Sequence, residues 1–266
     1  MSTPVAMIPY ANMAPYRQLG PPQNCRFIPQ LPRESIQALR EGKVAAAAVP
    51  VGGLARLSDC VETTGPFGIA TRGPSMSVML FSRVPFSQMQ APRTLRLTSE
   101  SATSVRLLYL LLGHTAGFDK LPHLVAKGQP ADGELLIGDR ALIKNMGVPS
   151  KDTWPHMTDL SLAWFDIHRL PFVFARWVVR KDAPETVRAA IADWLNRFKE
   201  KEPELVEQAI SGSAERLQLG KDVIRRYFQV IRRSLDDDDL KGQQHFCRQL
   251  ERFGREPLFH FSSTGK

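Results

Sequence analysis

The stretch PRESIQALREGKVAAAAVPVGGL, residues 32–54, restricts this chain more than any other. Pro32 suits a first helical position, where its missing N–H would have no partner anyway. Ser35, Ile36 and Leu39 share one helix face, and Gly42 supplies the stop. The run that follows, VAAAAV, reads as a buried strand of small side chains, so another backbone or a helix packs close to it. A helix that passes through a glycine straight into a buried strand implies parallel pairing with a second strand. That requirement points to an α/β fold.

The neighbouring segments continue the alternation. PVAMIPY (4–10) reads as a first strand, and ANMAPYRQLG leaves it as a loop and a helix start. Residues 62–85 hold two strands, the second being SVMLFS between Gly-Pro and Pro. Residues 93–113 give a strand, a loop rich in hydroxyls, and a helix. GELLIGDRALI (133–143) is a strand ending in Gly-Asp, then a helix. HRLPFVFARW (168–177) reads as a strand beginning at Pro171, where the lost N–H does least harm. Beyond residue 184 the character changes. Val187, Ile191, Trp194, Leu195 and Phe198 recur at helical spacing, and GKDVIRRYFQVIRRSL does likewise. Asp236–Asp239 cap a final helix that runs to 254.

The formal net charge is +8, which raises nucleic acid as a partner. Lysines and arginines are interleaved with acids, however, and no long basic block or zinc-finger spacing occurs, so we expect no nucleic acid. A basic surface of this kind favours encounter with small anions. The three cysteines, Cys25, Cys60 and Cys247, are far apart and form no C-x-x-C pair, which fits a reducing compartment. MSTPVAMIPY lacks the basic-then-apolar order of a secretory leader. Uncharged stretches reach only about a dozen residues, too short for a bilayer. A cytoplasmic protein without a membrane partner is the expectation; its oligomeric state is left open.

Familiar enzyme motifs are missing. There is no G-x-G-x-x-G, no G-x-x-x-x-G-K-[ST] and no H-x-x-x-H, so neither a nucleotide cofactor nor a metal is expected. The candidates are quieter. Ser101, Thr103 and Ser104 stand where a strand meets a helix, either as a cap or as part of a carboxylate or phosphate site on the free N–H groups. Gly138 and Asp139 stand at the carboxyl end of a buried strand, where open α/β sheets place ligands. Asp139 equally suits an N-cap for a helix beginning near Arg140. Asn12, just past the first strand, is a neutral donor and acceptor or a plain turn residue. Ser77 opens a strand.

MIPYANMAPY, GPSMSVMLFSRVP, SATSVRLLYLLL, LLIGDRAL and DLSLAWFDIHRLPFVFARW, with RRYF and DLKGQQHFCRQLERFG, together resemble the menaquinone-biosynthesis family that includes chorismate dehydratase of the futalosine route. LLIGD-x-AL and LPFVFA-x-W are the most specific of these. The resemblance implies a two-lobed, type II periplasmic-binding-protein-like α/β fold with a central cleft and C-terminal helices. Lobe I would comprise residues 1–87 and 175–266, and lobe II the inserted residues 88–174. It implies a lyase that dehydrates chorismate, a small dianion, without cofactor or metal. Asn12 and Ser77 would lie at the reacting ring; Ser101, Thr103, Ser104, Gly138 and Asp139 would bind substrate. Two departures stand out. Ala102 replaces a frequent arginine, and His168–Arg169 replaces a frequent Thr-Gly. Arg169 would then either take over an anion contact at the cleft entrance or be a surface residue beside a hinge. A small-carboxylate binding protein and the sister enzyme that cleaves cyclic de-hypoxanthine futalosine are the alternatives.

Overall fold

The computed structural model describes residues 2–147 and 154–252. The chain runs through β1 (Thr3–Met7), a 3-10 turn (Ala11–Met13), α1 (Ala14–Gln18), β2 (Cys25–Pro29), α2 (Pro32–Arg40), β3 (Ala46–Pro50), a 3-10 stretch (Val51–Arg56) and β4 (Val61–Thr71). Then come β5 (Val78–Ser82), β6 (Thr94–Arg96), α3 (Ala102–Ala116), β7 (His123–Leu124), β8 (Gly133–Ile137), α4 (Gly138–Met146), β9 (His156–Asp159) and α5 (Leu160–His168). The chain finishes with β10 (Phe172–Arg180), α6 (Glu185–Leu217), α7 (Lys221–Val230), β11 (Arg232–Ser234) and α8 (Asp237–Glu251).

These strands form two sheets and hence two lobes. The first has the order β11-β4-β10-β3-β1-β2, the second β7-β6-β8-β5-β9. The parallel partner that residues 32–54 demanded is β1, which pairs with both β3 and β2. Small side chains let β3 be covered on both faces. Ala46 and Ala48 share a core with Tyr16, Trp177 and Trp194, while Ala47 and Val49 share another with Ala38 and Leu39. A side chain of leucine size at these positions would overpack a layer already filled by two tryptophans.

The chain passes between sheets after β4 and again before β10. β5 pairs with β8 and β9 in the second sheet, so the first crossing lies at residues 72–77 and not at the expected 87/88. Nothing local distinguishes β5 from a first-sheet strand; its partners come more than fifty residues later. The return crossing falls between His168 and Phe172, and the strand starts one residue after Pro171. One further reading changes: RRS, expected to continue a helix, is β11, an edge strand on β4. The acidic run caps α8 as expected, with Asp236 accepting from the Asp239 N–H. The expected extension of that helix to 254, and the expected placing of the chain to 266 in lobe I, lie outside the described residues. No helix among the described residues is long and apolar enough to cross a membrane.

Candidate functional site

The lobes meet over a cavity enclosing about 540 Å³ of non-atom space, its open mouth included. Its walls are mostly apolar: Ile8, Pro32, Pro50, Ile69, Ile137, Phe174 and Ile231. Against them stand Tyr10, Asn12, Ser77, Ser101, Ser104 and the backbone of Gly138. Among the described residues, no Asp, Glu, Lys, Arg or His belongs to this lining.

Asn12 sits on the 3-10 turn that follows β1. Charged groups fix this turn along its length. Arg17 donates to the Ile8 and Tyr10 carbonyls at 2.8 and 3.0 Å. The Ala11 N–H donates to Asp139 at 2.8 Å, and Arg233, 1% exposed, donates to the Asn12 carbonyl at 3.2 Å. The Asn12 side-chain oxygen is buried and has no partner among the described residues. An unpaired buried acceptor is costly, and a donor on a ligand would satisfy it.

Ser77 opens β5 and is 3% exposed. The Tyr227 hydroxyl donates to its Oγ at 3.0 Å, which leaves the serine proton for another acceptor. Burial drives the Tyr227 phenol well above its ordinary pKa, so it stays a donor. The turn before Ser77 is held by Asp159, the N-cap of α5, which accepts from the Ser75 and Met76 N–H groups at 2.8 and 2.7 Å. Burial raises the Asp159 pKa against the pull of these bonds.

Two helices begin at the cavity. In α3, Ser101 is the N-cap and accepts from the Ser104 N–H at 3.1 Å. The N–H groups of the first two helical residues therefore lack an intrahelical acceptor, and the positive end of the dipole lies at the cavity wall. In α4 the helix begins at Gly138 with no side-chain cap. Gly138 has φ +59°, and a Cβ there would stand 2.7 Å from the Tyr10 ring. Both the conformation and the space require glycine. Its N–H donates to the Ser77 carbonyl at 2.8 Å.

Asn12, Ser77, Ser101, Ser104 and Gly138 thus come together, and three other candidates do not. Thr103 turns to the seam between lobes, accepting from Gly52 at 3.0 Å and donating to the Phe174 carbonyl at 3.2 Å. Asp139 is neither an N-cap nor part of the lining; it faces Ala11 and Arg216, the latter at 2.7 Å. Arg169 is absent from the lining, its side chain 73% exposed and 3.8 Å from Asp166. Its φ of +54° explains why glycine suits this position, since it closes α5 in the left-handed region. His168 likewise turns from the cavity, onto Trp164 and His245. The basic pair is a helix ending and not a cleft wall.

Cations do gather beside the first turn of α3. Arg106 donates to the Ala102 carbonyl at 3.1 Å. Its pKa is lowered by burial first, then by Arg56 and Arg33. None of these three joins an ion pair among the described residues, so they present an uncompensated positive field. Tyr10, Tyr227, Asp159 and Arg216 are the contributors that residue patterns missed. The two tyrosines do lie inside MIPYANMAPY and RRYF, which is the only signal the sequence offers for them.

A family described as menaquinone biosynthesis matches residues 3–252. A chorismate dehydratase of Thermus thermophilus is 29% identical over 261 residues, covering 91% of this chain and 92% of the relative. A crystal structure of an Archaeoglobus fulgidus protein superposes with a TM-score of 0.68 at 14% identity, covering 95% and 98% of the two chains. A Candida albicans gene product exhibiting the generic periplasmic binding protein fold gives 0.62 at 12% identity, covering 97% and 92%. The architecture is therefore that of periplasmic binding proteins.

Proposed function

Because this chain belongs to the menaquinone-biosynthesis family, we propose that it dehydrates chorismate to 3-[(1-carboxyvinyl)oxy]benzoate, as a hydro-lyase of the futalosine route. One observation carries the reading. The Asn12 oxygen, without a partner among the described residues, and the free proton of Ser77 stand in one cavity with two helix starts, and no carboxylate, amine or imidazole of the described residues lines it.

Chorismate suits such a site. It carries two carboxylates on a small, largely apolar skeleton, and its ring hydroxyl neighbours the carbon that bears the ether. Loss of the ring proton from that carbon, with hydroxide from its neighbour, yields one water and an aromatic ring. Aromatisation makes the product strongly favoured, so the protein has to orient the dianion and shield it. The starts of α3 and α4 offer N–H groups to carboxylates without needing a cation. With no carboxylate or imidazole base of the described residues in the lining, the substrate's own enolpyruvyl carboxylate takes the proton, while Asn12 and Ser77 hold the ring and the departing hydroxyl. Water exclusion by the closed lobes strengthens each polar contact. Arg33, Arg56 and Arg106 add attraction for the dianion beside the α3 start. The same considerations favour a protein that works without a nucleic-acid or membrane partner.

The test is direct. Purified protein mixed with chorismate should yield an aromatic product detected by absorbance and mass, 18 Da lighter than the substrate (the mass of one water). Tight binding without turnover would instead support a capture protein for small carboxylates.

A further inference from the structure

We propose that Asp139 and Arg216 form a latch between the lobes that places Asn12, making Asp139 a positioning residue. The inference rests on the reading of the cavity as the substrate site. Asp139 lies in the first turn of α4, on the second lobe, with its side chain 14% exposed. One carboxylate oxygen accepts the Ala11 N–H from the first lobe at 2.8 Å, and the other receives Arg216, from the last turn of α6 in that lobe, at 2.7 Å. Both of these bonds cross the cleft. They tie the second lobe to the first, and the first of them ends one residue from Asn12.

The charges nearby make the carboxylate matter beyond its own two bonds. Arg17 holds the same turn through the Ile8 and Tyr10 carbonyls. It feels Arg216 as a neighbouring cation and Asp139 as the opposing anion. Without Asp139, the Arg17 and Arg216 guanidinium groups, both on the first lobe, lose the acid between them, so removal of one carboxylate frees the turn and removes the attraction that holds the start of α4 to that lobe. Tyr10, from the same segment, hydrogen-bonds Glu100 of the second lobe, and its ring abuts Gly138. Closure thus grips the Asn12 turn from the second lobe at two points, of which Asp139 is the one bonded to backbone.

The experiment reads the latch without any ligand, so it stands apart from the identity of the substrate. Amide hydrogen exchange of the full chain is compared for wild type, Asp139→Ala, Asp139→Asn and Arg216→Ala. Asp139→Ala should speed exchange at residues 11–13 at least about tenfold while the β3 and β10 amides keep their protection. Asp139→Asn retains an acceptor for Ala11 and should change exchange there less; Arg216→Ala should fall between. Unchanged exchange at residues 11–13 in both Asp139→Ala and Arg216→Ala overturns the latch. In parallel, chorismate turnover should show kcat down about 100-fold in Asp139→Ala with KM within about threefold, and substantial recovery in Asp139→Asn. A loss confined to KM would make Asp139 a substrate contact and also defeat the proposal. Failure of wild type to turn over chorismate overturns the substrate reading and leaves the exchange result to decide the latch. Should Asp139→Ala not fold, Asp139→Asn and Arg216→Ala decide it alone.

Discussion

The starts of α3 and α4 look alike in sequence and behave differently in space. Each follows a buried strand or a short loop after one, and each offers a good capping residue, Ser101 in one and Asp139 in the other. Ser101 caps its own helix. Asp139 leaves α4 uncapped and reaches across to the first lobe. The first start is a local device, complete within four residues. The second is a device of closure, with partners 128 and 77 residues away in sequence. A polar residue at a helix N-terminus therefore says where a helix begins only when the backbone lets its side chain turn inward. Gly138, at φ +59°, directs Asp139 elsewhere.

The most severe way to break the second start is Gly138→Ala. The added carbon enters the Tyr10 ring in a conformation that costs about 1–2 kcal/mol for any L-residue. Turnover should fall beyond about 100-fold, with a lowered melting temperature. Asn12→Ala and Ser77→Ala come next. Each should reduce kcat about 100-fold with circular dichroism and melting temperature near wild type; wild-type rates in both would dismiss the roles given to them.

The far end of α3 extends the comparison, because it too meets the rest of the chain through titratable groups. His114 lies near His168, which bonds His245 of α8 at 3.1 Å. Burial first, then His245 and His114, lower the His168 pKa from 6.5 to about 4. The unfolded chain thus binds this proton at a higher pH than the folded one. Stability is complete above pH 6.5 and falls as the pH drops from there toward about 4. Melting curves across that window should show the decline, and His168→Gln should flatten it. Groups that face the cluster include Trp164 and Gln249, and the cations Arg248 and Arg252 further depress His245.

Ser101→Ala tests the local start and should cost about 1 kcal/mol of stability, visible in denaturant midpoints, with a modest rise in KM. Arg169→Gly is the mildest change. Relief of the left-handed residue should add up to about 1 kcal/mol and leave turnover unaltered; a clear loss of activity would return Arg169 to the site.

These contrasts also mark what the sequence could tell. Residues 32–54 announced an α/β fold with a parallel strand pair because their period and small side chains admit few other arrangements. The positions of Asn12, Ser77, Ser101 and Ser104 were legible through quoted stretches that lie in order along the chain. Thr103, Asp139 and Arg169 fall outside the lining because their orientation depends on contacts or backbone angles that residue type does not encode. The first crossing was placed too late because β5 finds its partners only after β8 and β9 exist. Tyr227 and Arg216 went unremarked because each lies on a helix whose pattern reads as ordinary packing or ordinary surface.

The central claim is that a doubly negative molecule is held between two lobes by neutral side chains and helix starts. The most direct measurement is a crystal structure of the Asn12→Ala variant soaked with chorismate. The account predicts one ligand in the cavity, a carboxylate on the first-turn N–H groups of α3 and its ring hydroxyl beside Ser77. Ligand bound elsewhere, or an empty cavity under conditions where solution binding is saturated, would contradict it.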